Sequence, residues 1–265
     1  MLAIPRTAAR GLGTLLVVNL AVGSPGLDIA GALERVIAAR SPIVDLSHPL
    51  NERIPANAPG EPFRNEPRAP GDLSPVRYTV AAQAGTHVDA PAQVLRGGAS
   101  VEKIPLQNLL GHAVVVDISR RAGTDPDTTG SLEDLRAWER RYGRIPKAAL
   151  VILRTGWDKH WTDPGRYRNA DEKGMPHFPG FSVEAVQFLL KERDIQGIGT
   201  DALAVDPGAS ADQPVRALVL GAGKIQVKSL ANLDKLPPKG VKLIIAPLAI
   251  EGAMSAPARV FAILP

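Results

Sequence analysis

The spacing of apolar residues changes several times along the chain, and each change predicts an element. From Leu27 to Ala39, Ile29, Leu33 and Ile37 recur at helical spacing, which predicts an amphipathic helix ended by Pro42. Val44 to Leu46 and Tyr78 to Ala82 predict short strands. The apolar runs Ala113 to Ile118 and Ala149 to Arg154 predict buried ones. Ser131 to Tyr142 reads as a helix with Ser131 as its N-cap and Asp134 three residues on. Ser182 to Arg193 reads as a second, capped by Ser182, with Glu184 and Glu192 facing outward. Gly197 to Thr200, Lys242 to Pro247 and Arg259 to Leu264 are expected strands. Residues 51 to 75, rich in Pro, Gly and Asn, are an expected long loop. Helices alternate with strands only in part, and several strands follow one another. That order predicts an α/β fold with a mixed sheet.

Composition narrows the classes. The chain has 265 residues, 45% of them hydrophobic, which supports one large domain or one domain with an appendage. A net charge of +4, spread without a long basic run, argues against nucleic-acid binding and suits a small, even anionic, substrate. The absence of cysteine removes disulfides, thiolate metal sites and a cysteine nucleophile. At the N-terminus, Arg6 and Arg10 precede an apolar run from Leu12 to Val22, with Ala21, Val22 and Gly23 behind it. This has the layout of a secretory signal but is too short and too interrupted by Gly for a membrane span. An extension, or a helix packing on a neighbour, fits the same residues. Cytoplasmic and exported locations both stay open, and no membrane partner is expected.

The residues with most chemical content lie in Gln83-Ala-Gly-Thr-His-Val-Asp-Ala-Pro-Ala-Gln93. On a strand, residues i and i+2 share a face, so His87 and Asp89 converge on one point. Such an N/O pair suits a cation or a polarised substrate, although two ligands alone do not make a metal site. A second concentration is the loop from Gly156 to Gly180, which holds Trp157, His160, Trp161, Tyr167, His177 and Phe178. It reads either as a lid or subunit contact for a flat, ring-bearing ligand, or as a loop pinned by aromatic staples. No Gly-x-Ser-x-Gly elbow, dinucleotide fingerprint or P-loop is present.

The Gly85-Thr86-His87-x-Asp89-Ala90-Pro91 segment resembles the motif His-x-Gly-Thr-His-x-Asp-x-Pro-x-His of the cyclase-like superfamily, which includes bacterial kynurenine formamidases and isatin hydrolases. Further blocks match in order: Asp45-Leu-Ser-His-Pro-Leu50, Leu153-Arg-Thr-Gly-Trp157, His177-Phe-Pro-Gly-Phe-Ser182, Ile198 to Pro207, Leu230-Ala-Asn-Leu233 and Ala246-Pro-Leu248. The resemblance covers roughly residues 41–265 and leaves 1–40 as an N-terminal extension. It implies a swivelling β/β/α fold with a mixed, barrel-like sheet, a small-molecule substrate, and a homodimer or higher homo-oligomer.

The same resemblance implies metal ligands, and most of those positions are substituted. The outer histidines of the motif are Gln83 and Gln93. The later His position is Arg216, or Val215 if the alignment shifts by one, and the Glu position is Lys228. No His follows His177, so the conclusion does not depend on that shift. A protonated Lys cannot ligate a metal, and it repels a cation by about 4 kcal/mol per unit charge at about 4 Å and an effective dielectric of about 20. The expected centre is therefore metal-free. His87, Asp89 and Lys228 are its catalytic residues; Gln83, Thr86, Gln93, Trp157, His160, His177 and Arg216 hold the substrate. No cofactor is expected in that case. The reaction would be cyclisation, isomerisation, or lactone or cyclic amide opening. Two alternatives stay open. One is a Zn or Mn hydrolase of amides, lactones or formamides with Gln83, His87 and Asp89 as ligands. The other is a non-catalytic binding protein.

Overall fold

A computed structural model of the protein describes Gly31, Glu34 and residues 41–265, apart from 57–59, 61, 67–68, 70 and 72–75. Gly31 and Glu34 are helical; the rest of the helix expected from Leu27 to Ala39, and the signal-like run from Leu12 to Val22, lie outside the described residues.

In chain order the strands are β1 Ile43–Asp45, β2 Phe63–Glu66, β3 Arg77–Val80, β4 His87–Asp89, β5 Leu110–Asp117, β6 Thr129–Gly130, β7 Leu150–Arg154, β8 Gly180–Phe181, β9 Gly197–Thr200, β10 Ile225–Lys228, β11 Val241–Pro247 and β12 Ser255–Ile263. One sheet runs β1-β12-β11-β5-β7-β9-β10-β4, and a further pairing of β4 with β12 closes seven of these strands into a barrel. β5, β7, β9 and β10 are mutually parallel, while β4, β11 and β12 pair antiparallel. The α/β class and the mixed, barrel-like sheet are as expected.

Alternation along the strands separates two cores. Ala113, Val115, Leu150, Ile152, Val88, Val227 and Ala256 belong to one buried cluster. Val114, Val116, Val151, Leu153 and Ile198 point the other way, into a second cluster with Leu135 and Trp138 of the Leu132–Tyr142 helix, Ala185 and Val186 of the Val183–Phe188 helix, and Val215 and Val219 of the Pro214–Gly221 helix. Strands buried on both faces read as continuous apolar runs, which is why β5 and β7 were legible in the sequence.

The helix ends follow their chemistry. The Ser131 hydroxyl accepts from the Asp134 amide while the Asp134 carboxylate accepts from the Ser131 amide, a reciprocal capping box. Ser182 likewise caps the second predicted helix, which is α-helical over Val183–Phe188 and widens to a π-helical turn over Leu189–Arg193. The expected loop at 51–75 contains a strand, β2, paired with β3. Phe63 faces Val80 in that hairpin, and its polar neighbours are exposed, so no apolar alternation announced it. No helix among the described residues is long and apolar enough to cross a membrane.

Candidate active site

Strand register assembles the site. β4 is flanked on one side by β10 and on the other by β12. Asp89 lies opposite Gln226 and Ser255; His87 lies opposite Lys228 and Pro257. Directly opposed residues project to the same face of a sheet. Val88, Val227 and Ala256, one step along each strand, go into the core, so the polar set points away from it. His87, Asp89 and Gln226 have no exposed surface, and Lys228 and Ser255 are buried.

The polar groups converge on one carboxylate. Asp89 Oδ1 accepts from Gln83 Nε2 at 3.0 Å, from Gln93 Nε2 at 2.8 Å and from Ser255 Oγ at 2.6 Å. Lys228 Nζ sits directly on Asp89 Oδ2. Burial opposes ionisation of Asp89, but the Lys228 charge, His87 and the hydrogen bonds from Lys228 and Ser255 outweigh it and hold the carboxyl well below the ordinary range. An ionised carboxylate only accepts, so both glutamines turn their amino groups toward it. Gln93 Oε1 is left buried with no protein donor among the described residues.

His87 Nδ1 lies 2.8 Å from the Gly85 carbonyl. A carbonyl only accepts, so Nδ1 carries the proton and the lone pair of neutral His87 is on Nε2. That atom is 4.0 Å from Asp89 Oδ1, too long for a hydrogen bond. Burial lowers the His87 pKa; Asp89 works against that shift and Lys228 adds to it. The imidazole is therefore neutral near pH 7.

The remaining predicted residues are placed as follows. Thr86 Oγ1 donates to the Ser229 carbonyl at 2.6 Å and accepts from the His48 amide, so it braces the residue next to Lys228. Arg216 sits in the first turn of the Pro214–Gly221 helix, where Asp206 accepts from the Val215 and Arg216 amides. Its Nη1 donates to Gln213, its carbonyl accepts from Gln226 Nε2, and its buried Nε has no partner among the described residues. Val215, the alternative at this position, is in the core. Trp157 is 4% exposed and donates to the Tyr167 carbonyl; with Trp161, Tyr167 and Phe178 it forms a third buried cluster that staples the loop. His160 packs edge-on against Trp157. His177 is ion-paired to Asp127 at 2.8 Å and raised in pKa by that contact. Neither His160 nor His177 has a recorded hydrogen bond or ion pair to the His87 centre among the described residues. Sequence reasoning missed Ser255 and Gln226, which have no motif of their own and enter only through register.

These residues do not fit a divalent cation. Both oxygens of Asp89 are engaged, one by three donors and the other by an ammonium. Lys228 brings positive charge to the point where a metal would need negative charge.

The family model Cyclase matches residues 44–207. Over 189 residues the chain is 36% identical to an isatin hydrolase of Roseibium aggregatum, covering 68% of this chain and 71% of that protein. Over 199 residues it is 31% identical to a kynurenine formamidase of Salinibacter ruber, covering 74% of this chain and 82% of the relative. The solved structure of isatin hydrolase A from Ralstonia solanacearum superposes with a TM-score of 0.83 at 34% identity, over 92% of this chain and 100% of the other.

Proposed function

The chain belongs to the cyclase family, and on that premise we propose that it is an enzyme acting on a small carbonyl compound through a centre that uses Lys228 where a metal ion would otherwise stand. The reaction is opening of a lactone or cyclic amide, or the related cyclisation or isomerisation. The observation that carries this reading is the contact of Lys228 Nζ with Asp89 Oδ2, with His87 beside them.

Each group has a role that its geometry supports. His87 Nε2 is the base. In ring opening it takes a proton from water as the water oxygen bonds to the carbonyl carbon. The ammonium of Lys228 stabilises the oxyanion that forms. The ring C–O or C–N bond then breaks and the leaving atom takes the proton back from the imidazolium, so no proton is gained or lost by His87 over the cycle. Asp89 holds Lys228 in place and favours the transient imidazolium. Gln93 Oε1, an acceptor without a donor, accepts an N–H or O–H of the substrate. Arg216 Nε offers a donor to its carbonyl or carboxylate end. Because His87 and Asp89 have no exposed surface, the substrate enters past the half-buried Gln83 and Gln93 and exchanges contacts with their amides.

The test combines metal content and turnover. Protein from cells supplied with Zn and Mn is analysed by elemental mass spectrometry, and a panel of lactones, cyclic amides and formamides is assayed with and without chelator. Expected are no stoichiometric metal, turnover unchanged by chelation, and loss of about 100-fold or more in His87→Ala. Near one equivalent of metal, with activity abolished by chelation and restored by Zn or Mn, would instead make Gln83, His87 and Asp89 ligands and overturn the metal-free reading. Saturable binding without any product would leave the binding-protein reading.

A further inference from the structure

The molecule has a cavity far along the strands from His87. Its volume is about 540 Å³, and its walls include His112, Trp138, Tyr142, Arg144, Lys147 and Lys239. Register fixes its position. Ala113 of β5, beside His112, is level with Leu150 of β7; Leu150 is level with Gly197 of β9, and Gly197 with Ile225 of β10. The cavity therefore opens at the amino ends of the parallel strands, whereas Lys228 closes the carboxyl end of β10.

Its surfaces have two chemistries. One is apolar and is built from two rings inclined at 48° to each other. The Trp138 indole uses its N–H on the Val115 carbonyl at 3.0 Å and so presents a hydrocarbon surface, with the Tyr142 ring 5.2 Å away centroid to centroid. The other is cationic. Arg144 Nη2 donates to the Glu192 carbonyl and Lys239 Nζ to the Tyr142 carbonyl. Those partners are neutral, and neither cation is in a salt bridge among the described residues. Lys147 is paired with Asp194 at 2.9 Å. No Asp or Glu is among the cavity's lining residues. Glu139, whose carboxylate feels the Arg144 charge, is held by Arg193 at 2.6 Å. His112, half-buried beside Lys242, supplies a neutral N–H.

We propose that this cavity is a second ligand site, for a small planar apolar molecule bearing one carboxylate. The ring lies against Trp138 and Tyr142, and the carboxylate meets Arg144 and Lys239. A volume of this size is in the usual range for small-molecule pockets, which combine apolar walls with a few placed polar groups. Arg is suited to bidentate carboxylate contact. The inference does not depend on the reaction proposed above.

The experiment is calorimetric titration of the full chain with 2-naphthoate and with its neutral analogue 2-naphthamide. Naphthoate is expected to bind at least about tenfold more tightly than naphthamide, and to lose about tenfold or more in Lys239→Gln and in Arg144→Gln. Binding at this cavity is expected to survive in His87→Ala, which alters the other centre without orphaning the Asp89 charge. Both basic residues are exposed at the surface, so their neutral variants keep the fold, and an unchanged thermal midpoint checks this. Absence of saturable binding, equal binding of the amide, or binding lost in His87→Ala but kept in Lys239→Gln would overturn the proposal. The last outcome would place the ligand at the His87 centre instead.

Discussion

Lys228 and Asp89 are worth more as a pair than either is alone. Both are taken out of water, at 6% and 0% side-chain exposure. Their mutual attraction offsets a desolvation cost that neither could bear unpaired. Lys228→Met leaves the Asp89 charge buried among Gln83, Gln93 and Ser255 without a cation. The expected loss is about 3–5 kcal/mol in urea unfolding. Adding Asp89→Asn to that variant is expected to recover part of the loss, because the orphaned charge is gone. A double variant whose loss equals the sum of the two single losses would show that the residues do not interact. At this scale the sequence carried His87, Asp89 and both glutamines, because they lie within one local segment. Lys228 was found by resemblance. Ser255 was not found, since nothing near it in the chain distinguishes it from any other serine.

Helices and strands were legible where a local signal existed. The Leu132–Tyr142 helix begins at the expected cap, and its capping box satisfies amides of the first turn while Leu135 and Trp138 hold it against the sheet. Ser131→Ala is expected to lower stability by about 1 kcal/mol, read from the thermal or urea midpoint, with the helix itself retained. β10 and the Pro214–Gly221 helix were not predicted. β10 is Ile-Gln-Val-Lys, four residues whose polar members face Asp89 and its surroundings. A Lys received by a remote carboxylate, and a Gln whose amide donates to the remote Arg216 carbonyl, look like surface residues in the sequence. The aromatic loop is the converse case. Two readings were open, and burial of Trp157 and Tyr167 makes these two residues staples. Asp201, just past β9, fixes the entry to that loop by accepting from the Thr155 and Gly156 amides just past β7, while its own carbonyl receives the Tyr167 hydroxyl.

The whole molecule responds to pH through two groups of opposite sign, one half-buried and one fully buried. His48 stacks on Trp161, with ring centroids 3.9 Å apart, and burial lowers its pKa from 6.5 to about 4. Between those values the unfolded chain binds a proton that the folded chain refuses, so the contribution of neutral His48 to stability is lost as pH falls from 6.5 toward 4. Asp201 acts in the other direction. Burial raises its pKa from 3.8 to about 6, so its contribution is lost as pH rises through that window. The total curve mixes the two, and the difference between variants separates them. Relative to His48→Gln, the natural chain is expected to lose stability as pH is lowered from 6.5 to 4, measured by urea unfolding at steps across that range. A pH-independent difference would mean that His48 is not the group responsible.

Local chain chemistry determined the period of each apolar run, the caps, the α/β class and the convergence of His87 with Asp89, because all of these depend on residues a few positions apart. Tertiary structure decided what surrounds Asp89. The closure of β12 on β4 brings Ser255 across 166 residues of chain to the same carboxylate, and the pairing of β10 with β4 sets Lys228 beside it. Register is a property of two strands together. A strand's own sequence states which residues share a face, and only its partner decides what that face meets.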